Sequence, residues 1–324
     1  MNSVDADITD CRYAILSGGV GGAKLALGLY LEQSSEELLV IGNVGDDFSH
    51  WGLHISPDLD TLMYTLAGVA DPDRGWGRAQ ESWTVLNTLS DLGGIDWFRL
   101  GDRDLAVHLE RSVRMGEGET LSAVTRHLCR AFGVTAILVP PTDDAVRTII
   151  DTTDRTLSFQ EYFVRERCEP PVTGLRYQGA SQATLLPEIG RLLAGDRLEA
   201  VILSPSNPYL SLDPILEIAD LRHRLAASPA PVVAVSPLIQ SHAFKGPTAK
   251  IMMELGCAVS TLTVAQHYAD ILDGIVIDPA DRELSGAIED LGIKVRITDT
   301  DMANERDKRH LATEVISFSE TIAG

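Results

Sequence analysis

The chain has 324 residues, of which 44% are hydrophobic and 23% charged, and its formal net charge is −20. This composition is typical of a globular protein with a sizeable apolar core. It argues against nucleic-acid binding, because no cluster of Lys and Arg offsets the negative charge, and against a membrane protein, because no apolar run approaches the roughly 18 residues of a span. The four cysteines are far apart and the first ten residues are acidic and polar, so we expect a cytoplasmic protein with reduced thiols.

A strand, a glycine-rich turn, a helix and a second strand are predicted in the first 44 residues. Residues 12–16 and 38–44 have the pattern of buried strands, and residues 22–31 carry apolar side chains at helical spacing. Such a βαβ unit gives parallel strands. Further strand-like runs, most of them followed by a helical pattern, occur at 134–139, 200–204, 231–236, 273–278 and 293–298. The sequence therefore predicts an α/β protein with a Rossmann-like, doubly wound, mostly parallel sheet.

Helix-like segments without an intervening strand follow the second predicted strand. They lie at 57–69, 77–92, 102–114 and 119–131. We predict a single α/β domain over residues 1–324, in which a helical insertion (about 57–131) packs over the carboxyl edge of a core (about 12–56 and 132–300). A short antiparallel excursion is expected around residues 155–180.

The segment between the first predicted strand and helix, which we call the glycine turn (residues 18–22), has four glycines in five residues. Backbone N–H groups of such a turn approach an anion closely, and the helix N-terminus adds about half a positive charge. It matches neither the Walker A loop nor the dinucleotide fingerprint, which needs Gly or Ala where Lys24 stands. The alternative is a tight turn that needs positive φ angles. We predict phosphate or nucleotide contacts from Gly18, Gly19, Val20, Gly21, Gly22 and Lys24.

Four carboxylates follow the second predicted strand within fifteen residues. Asp46 and Asp47 belong to the sequence N-V-G-D-D-F, and Asp58 and Asp60 fall in the first turn of a predicted helix that begins P-D-L-D-T. The first-turn acids alone would be explained by the helix dipole. Adjacent acids beside a phosphate site, however, are typical of a divalent-cation site, because Mg²⁺ takes one or two carboxylates and leaves positions for substrate phosphates. We predict Mg²⁺ binding, with Asp46 and Asp60 as the preferred pair.

The second half of the chain contributes two polar segments. Ser204, Ser206 and Asn207 follow a predicted strand and are either turn formers or side chains that contact a base or a phosphate. Lys245 and Lys250 stand out in an acidic protein and are either solvated or partners of an anionic substrate.

Taken together, the motifs resemble the 2-phospho-L-lactate transferase family of coenzyme F-420 biosynthesis. The resemblance extends over about residues 13–300 in the same order. The motifs are GGVGGAKLALGL, NVGDDF, PDLDTLMYTLAG, DPDRGWG, WFRLGDRDLA, SPSNPYLS and SPLIQSHAFKGPTAK.

The resemblance implies a magnesium-dependent transferase, usually a homodimer, with two small-molecule substrates. One is a phospho-acid activated by GDP, and the other is the deazaflavin Fo. The terminal ribityl hydroxyl of Fo attacks the phosphorus next to the acid, GMP leaves, and polyglutamate-free F-420 forms. Whether the acid is 2-phospholactate, phosphoenolpyruvate or 3-phosphoglycerate stays open, because a few side chains decide such differences.

The resemblance also implies roles for individual residues. Asp46 and Asp60 would hold Mg²⁺, and the glycine turn would lie along the donor's phosphates. Ser204, Ser206 and Asn207 would bind guanosine, and Asp47, Met63 and Thr65 would lie near Fo. We take Asp46, Asp47 and Asp60 as the catalytic candidates. Replacing Asp60 by alanine should then reduce turnover far more than donor binding.

Two other functions compete with the transferase. Nucleotide-sugar-binding regulators of the same superfamily carry a similar glycine turn but replace the acidic block by a loop rich in glycine and serine, whereas this chain keeps the acids. A Rossmann dehydrogenase would need an intact fingerprint and an acid for the ribose, and the sequence has neither.

Overall fold

The computed structural model describes residues 7–240, 242–243 and 246–324. The strands are β1 (Tyr13–Ser17), β2 (Leu38–Gly42), β3 (Phe48–His50), β4 (Leu53–Ile55), β5 (Ile137–Val139), β6 (Arg147–Thr152), β7 (Thr156–Ser158), β8 (Val172–Gln178), β9 (Ala200–Leu203), β10 (Val232–Val235), β11 (Leu238–Ile239), β12 (His242–Ala243), β13 (Gly274–Ile277) and β14 (Lys294–Ile297). The helices are α1 (Gly19–Glu32), α2 (Pro57–Leu66), α3 (Thr84–Asp91), α4 (Asp102–Gly116), α5 (Leu121–Ala131), α6 (Pro187–Ala194), α7 (Asp213–Leu216), α8 (Leu221–Ala226), α9 (Thr248–Glu254), α10 (Thr261–His267), α11 (Ser285–Glu289) and α12 (Glu305–Ala323).

A seven-stranded parallel sheet forms the centre of the molecule, in the order β14–β13–β10–β9–β1–β2–β5. The chain starts at β1, winds outward to β5, returns to β9 beside β1 and winds outward again to β14. Strands β1, β2, β9, β10 and β13 are buried along their whole length, as their apolar runs indicate. The predicted doubly wound, Rossmann-like α/β fold is confirmed, with its reversal of strand order between β1 and β9.

The segment between β2 and β5 contains the four predicted helices, α2 to α5, but it begins with a β3–β4 hairpin that we did not predict. Helix α3 starts at Thr84 rather than at residue 77, because the residues before it form turns around Gly75 and Gly77, both with positive φ. Ser56 and Pro57 occupy the N-cap and first position of α2, as predicted.

The antiparallel excursion is larger than the sequence indicated. Strands β7, β6 and β8 form a three-stranded antiparallel sheet, and β6 begins at Arg147, before the predicted residues 155–180. Within that range, Glu161–Arg165 is a short π-helix instead of a strand.

Helix α12 lies beyond the predicted core boundary at residue 300 and packs against α1. A Cβ added at Gly28 would lie 2.2 Å from the carbonyl oxygen of Lys308, so glycine permits this close approach of the two helices. The division of the chain into a core and an insertion stays a prediction. Over the residues that the structure describes, no helix is long and apolar enough to cross a membrane.

Candidate functional site

A cavity of about 810 Å³ opens beside the carboxyl ends of β1 and β9, where the strand order reverses. Its wall combines the start of α1, the first turns of α2, one face of α4 and the loop after β9. Open α/β sheets bind their ligands at this place, because the loops on either side of the reversal diverge and leave a crevice. The cavity is therefore the candidate site.

The glycine turn is the first turn of α1 rather than a loop that precedes it. Gly18 is the N-cap, and the helix begins at Gly19, whose φ of 65° favours glycine. A Cβ added at Gly21 would lie 2.6 Å from the carbonyl oxygen of Pro205, so only glycine lets α1 lie this close to the loop after β9. Gly18, Gly19, Val20 and Gly21 line the cavity.

The other two residues predicted with the glycine turn lie differently. Gly22 faces away from the cavity toward the hydroxyls of Ser17, Ser204 and Ser206, which an added Cβ would meet at 2.3–2.8 Å. Lys24 lines the cavity, and its Nζ donates a hydrogen bond to the carbonyl oxygen of Met302 at 2.9 Å. The lysine thus connects α1 to the segment after β14.

Ser204, Ser206 and Asn207 hold the loop after β9 against the glycine turn. The Ser206 hydroxyl donates to the carbonyl oxygen of Gly18 at 2.6 Å and accepts from Ser204 at 2.7 Å. The Asn207 side chain accepts from two backbone N–H groups and donates to Thr248 Oγ1 at 3.0 Å. Ser206 and Asn207 line the cavity, whereas Ser204 is buried behind them. Guanosine binding by these residues stays a prediction.

A buried carboxylate pair, Asp46 and Asp58, lies beside the glycine turn. The Asn43 Nδ2 donates to both of them, at 3.0 Å to Asp46 and 2.9 Å to Asp58, and the Gly19 N–H donates to the second oxygen of Asp58 at 2.8 Å. Burial raises the pKa of Asp58 to about 6, and burial together with the charge of Asp58 raises the pKa of Asp46 well above its usual range. Because the two carboxylates are unfavourable when both are ionised, a cation bound between them would be stabilised by their charge.

Asp47, a predicted catalytic residue, does not line the cavity. Its Oδ2 accepts hydrogen bonds from His54 Nε2 at 3.0 Å and from the Ser56 hydroxyl at 2.9 Å. The carboxylate therefore fastens the β3–β4 hairpin to the start of α2. A direct role for Asp47 near a substrate stays a prediction.

Asp60 lines the cavity, but Arg111 of α4 holds it. The guanidinium of Arg111 donates to both carboxylate oxygens, and its Nη1 also donates to His108 Nδ1 at 3.1 Å. Asp60 and Arg111 are 4% and 1% exposed, so this is a fully buried ion pair. Nothing in the sequence around residue 60 indicated a partner 51 residues away.

The residues present fit Mg²⁺. Within the described part of the chain, no group of three or more His, Cys, Asp or Glu is arranged to hold a metal. Magnesium does not need such a cage, because it takes one or two carboxylates and completes its shell with water and phosphate oxygens. Asp46 and Asp58 meet that requirement. Both are buried at the cavity wall, where each disfavours the negative charge of the other. The predicted pair of Asp46 and Asp60 stays a prediction, and in this structure Arg111 donates to both oxygens of Asp60.

Two aromatic patches on the cavity wall come from different parts of the chain. Trp97 and Phe98 pack edge to face and belong to a cluster with Phe48. Phe159 and Phe163 stack with their centroids 5.2 Å apart. Phe48, Trp97 and Phe98 belong to motifs of the family resemblance but were given no role, and Phe159 and Phe163 were not singled out, because an aromatic side chain in a loop carries no pattern that separates core from site.

Three predicted binding residues, Met63, Thr65 and Lys250, do not line the cavity. Met63 belongs to the apolar core, and Thr65 is half-buried outside the cavity. The Lys250 Nζ donates to Glu254, to Tyr162 and to the carbonyl oxygen of Pro170, away from the cavity. This correction has a simple cause: helix α9 places Glu254 four residues after Lys250, where it forms an ion pair. Lys245 lies outside the described residues.

The stability of the metal-free protein is expected to depend on the charge of Asp58. Its pKa of about 6 in the folded state exceeds the ordinary value of about 3.9, so the folded state binds the proton more tightly and stability falls as pH rises from about 4 to 6. An Asp58→Asn variant lacks this penalty. The stability difference between variant and wild type should thus grow by about 2–3 kcal/mol in the variant's favour between pH 4 and pH 7. Urea unfolding at both pH values in EDTA measures it, and an unchanged difference would contradict the prediction.

Comparison with known proteins identifies the family to which this chain is similar. The model of the family described as 2-phospho-L-lactate transferase CofD matches residues 14–316. A phosphoenolpyruvate transferase from Kitasatospora aureofaciens is 36% identical over 318 residues, covering 96% of this chain and 98% of that protein. A 2-phospho-L-lactate transferase from Methanosarcina mazei is 36% identical over 302 residues, covering 93% and 98%.

The fold has a counterpart among solved structures. A protein of the UPF0052 family from Bacillus halodurans superimposes with a TM-score of 0.59 at 12% identity, covering 97% of this chain and 99% of that one. Because the identity is so low, this likeness concerns the fold alone. The family match and the relatives cover nearly the whole chain, including the glycine turn and the carboxylates, and they show that this chain belongs to the 2-phospho-L-lactate transferase family, the phospho-acid transferases of coenzyme F-420 biosynthesis.

Proposed function

We propose that this chain transfers a phospho-acid from a GDP-activated donor to the terminal ribityl hydroxyl of Fo, with release of GMP and in the presence of Mg²⁺. The observation that carries the proposal is the junction of an anion-binding helix N-terminus with two buried carboxylates in one large cavity. Phosphoryl-group transfer needs positioning and charge stabilisation rather than a covalent intermediate. A cavity that offers both fits this reaction.

We place the phosphates of the donor at the start of α1. The N–H of Gly19 already donates to Asp58, so the N–H groups of Val20 and Gly21, in the next positions of the helix, are those we assign to phosphate oxygens. The absence of side chains at Gly18 and Gly21 lets Asp58 and the loop after β9 lie directly against the start of α1, beside the position that we assign to the phosphates.

We assign Mg²⁺ to Asp46 together with one carboxylate from the first turn of α2, Asp58 or Asp60. The ion would neutralise the donor's phosphate charge and polarise its oxygens, as Mg²⁺ does in phosphoryl-transfer enzymes. Neighbouring residues orient these carboxylates. Asn43 donates to both Asp46 and Asp58, and Arg111 fixes the orientation of Asp60.

The two aromatic patches suit two aromatic substrates. Guanine and the deazaflavin ring each have a flat face, which stacks favourably on aromatic side chains. The patch around Trp97 and Phe98 lies on the side of the helical insertion, and the patch of Phe159 and Phe163 lies on the side of the antiparallel sheet. We propose that each patch receives one ring and that the phosphates lie between them.

In the reaction, the hydroxyl oxygen of Fo forms a bond to the phosphorus next to the acid. The bond from that phosphorus to the bridging oxygen of the donor breaks, and GMP leaves with the electron pair. The hydroxyl proton is lost to a base. We propose a three-carbon 2-phospho acid as the transferred group, because the two relatives described above are named for one. Their equal identity of 36% does not distinguish phosphoenolpyruvate from 2-phospholactate.

The test is an incubation of purified protein with Fo, Mg²⁺ and the GDP-linked forms of phosphoenolpyruvate, 2-phospholactate and 3-phosphoglycerate, followed by mass spectrometry. We expect one phosphodiester product and GMP in equal amounts, and the mass of the product names the acid. Tight nucleotide binding without product from any donor would contradict the transferase and favour a nucleotide-binding regulator.

Substitution of Gly21 by alanine is expected to weaken GDP binding by at least about tenfold. The new methyl group would collide with the carbonyl oxygen of Pro205 and push the loop after β9 away from α1. Gly116→Ala at the end of α4 is the matched control, because nothing lies within 4 Å of its added Cβ. Isothermal titration calorimetry of both variants measures the effect, since a displaced phosphate site loses at least one backbone hydrogen bond, about 1.5 kcal/mol or tenfold in affinity. Equal affinities would contradict the prediction.

We also propose that the chain acts as a homodimer in the cytoplasm, as the family resemblance implies. Leu109 and Val113, one turn apart on α4, are 47% and 56% exposed, and Leu92 is 78% exposed. Exposed apolar side chains of this kind favour association. Sedimentation equilibrium of the purified protein tests the oligomeric state, and a monomer at micromolar concentration would contradict the dimer.

A further inference from the structure

A polar row on the cavity wall has no role in the function proposed so far. It consists of Asp104 and His108, one turn apart on α4, and Tyr64 of α2, and all three line the cavity. Tyr64 lies one turn after Asp60 on α2, so the row continues the wall from the carboxylates toward the aromatic patch of Trp97 and Phe98. With one substrate ring on that patch and the phosphates at the start of α1, as proposed above, the row would lie between them.

Asp104 is held in one orientation. Its Oδ1 accepts a hydrogen bond from the Tyr64 hydroxyl at 2.7 Å and lies 3.3 Å from His108 Nε2. Because Arg111 can only donate, its contact with His108 Nδ1 leaves the imidazole proton on Nε2, which faces Asp104. Glu81 accepts from the backbone N–H of Asp104 at 2.8 Å and fixes the first turn of α4.

The second oxygen of Asp104 remains open. Among the described residues, no hydrogen-bond donor contacts Oδ2. Gly77, which also lines the cavity, has no side chain to cover this oxygen, and even an added Cβ would lie 4.0 Å from it. Burial raises the pKa of an aspartate, but at Asp104 His108, the Tyr64 hydroxyl and Arg111 together outweigh it and lower the pKa. The carboxylate is therefore an ionised acceptor with one free oxygen facing the cavity.

The other acids of the wall differ from Asp104. Both oxygens of Asp58 and of Asp60 accept hydrogen bonds, and Asp301 is exposed to solvent. Asp46 also has an oxygen without a donor among the described residues, but burial and Asp58 raise its pKa and we assign it to the metal. Asp104 is the buried acid that combines a fixed orientation, an open oxygen and a lowered pKa.

We propose that Asp104 Oδ2 accepts the proton of the attacking hydroxyl of the acceptor. This inference rests on the proposed transferase function. The O–H bond breaks, its electron pair forms the new bond from oxygen to phosphorus, and the proton passes to Oδ2 and then to solvent as GMP leaves. An aspartate that accepts a substrate hydroxyl proton performs the same task in protein kinases. Tyr64 and His108 are positioning residues, which aim the carboxylate.

The test compares Asp104→Asn with Asp102→Asn. The amide keeps an oxygen for the Tyr64 hydroxyl but accepts no proton, so kcat should fall by about 10²–10⁴-fold while KM for Fo, GDP affinity and the melting temperature stay near wild type. Asp102 is the matched control, because it lies two residues earlier, is half-buried and binds Ser82 and the start of α3. Its kcat should be unchanged.

A second variant guards against a purely structural effect. Asp104→Ala leaves room for a small carboxylate, and added formate should restore a measurable part of kcat in this variant but not in Asp102→Asn. An unchanged kcat in Asp104→Asn, or a raised KM with unchanged kcat, would overturn the assignment of Asp104 while leaving the transferase in place. A wild-type protein that forms no phosphodiester would overturn both.

Discussion

Replacement of Arg111 by methionine is expected to lower the free energy of unfolding by about 3–5 kcal/mol at neutral pH. Arg111 is 1% exposed and donates to both oxygens of Asp60, which is 4% exposed. Without the guanidinium, Asp60 is left as an unpaired charge away from water, and its neighbour His108 loses its donor. Guanidinium chloride unfolding of the metal-free proteins, followed by circular dichroism, measures the change.

Two further variants show whether the unpaired charge is the cause. Arg111→Met combined with Asp60→Leu should recover most of the lost stability, because a buried ion pair replaced by apolar groups of similar size is often neutral. Arg114→Met, three residues later on the same helix, removes an ion pair with Glu110 and Glu119 that is open to solvent and should have far less effect. Equal losses for Arg111→Met and Arg114→Met would contradict the buried-pair explanation.

The parallel sheet was predictable because its strands, apart from the edge strand β14, are short apolar runs buried along their length, and each one ends at a polar turn. All seven strands of the sheet lie within their predicted segments, apart from Ser17, one residue beyond the first. The β3–β4 hairpin and strand β6 were missed for the opposite reason. Their side chains are only partly buried, so apolar and polar residues mix without a continuous run.

The candidate site was predictable only in part, because local sequence shows which residues end a strand but not which of them meet. The first four residues of the glycine turn, Asp46 and the α2 acids were found from local patterns and do line the cavity. Partners distant in the sequence determine how these acids are arranged. Asn43 donates to both Asp46 and Asp58, and Arg111 forms an ion pair with Asp60. Asp104 stood in the motif WFRLGDRDLA, at the start of a predicted helix, without an assigned role, and its open oxygen emerges only from the packing of α4 against α2.

The carboxylates also show a division between stability and function. Asp60 carries its compensating charge inside the protein, in Arg111, whereas Asp46 and Asp58 face each other across a neutral amide. A buried pair without a counter-ion destabilises the empty protein, and an arrangement of this kind is explained when the missing charge arrives with a ligand. This contrast is why we place Asp46 at the centre of the metal proposal.

Replacement of Asp46 by asparagine is expected to reduce turnover by at least about 10²–10³-fold, the loss typical when one group that stabilises transition-state charge is removed. The variant should fold and be no less stable than wild type without metal, because burial and Asp58 raise the pKa of Asp46 and its charge is unfavourable there. Calorimetric titration of GDP with and without Mg²⁺ gives a readout independent of turnover. Magnesium should strengthen GDP binding to the wild type and have little effect on Asp46→Asn.

The same titration on Asp58→Asn and Asp60→Asn identifies the second carboxylate. Asp58 lies beside the glycine turn and lacks a cationic partner among the described residues, so its variant should lose the magnesium effect if Asp46 and Asp58 form the pair. Loss of the effect in Asp60→Asn instead would mean that Arg111 releases Asp60 when the metal binds. Asp151→Asn, a half-buried aspartate of β6 that pairs with Arg176, is the control and should keep the full effect. An undiminished magnesium effect in Asp46→Asn would remove Asp46 from the metal site.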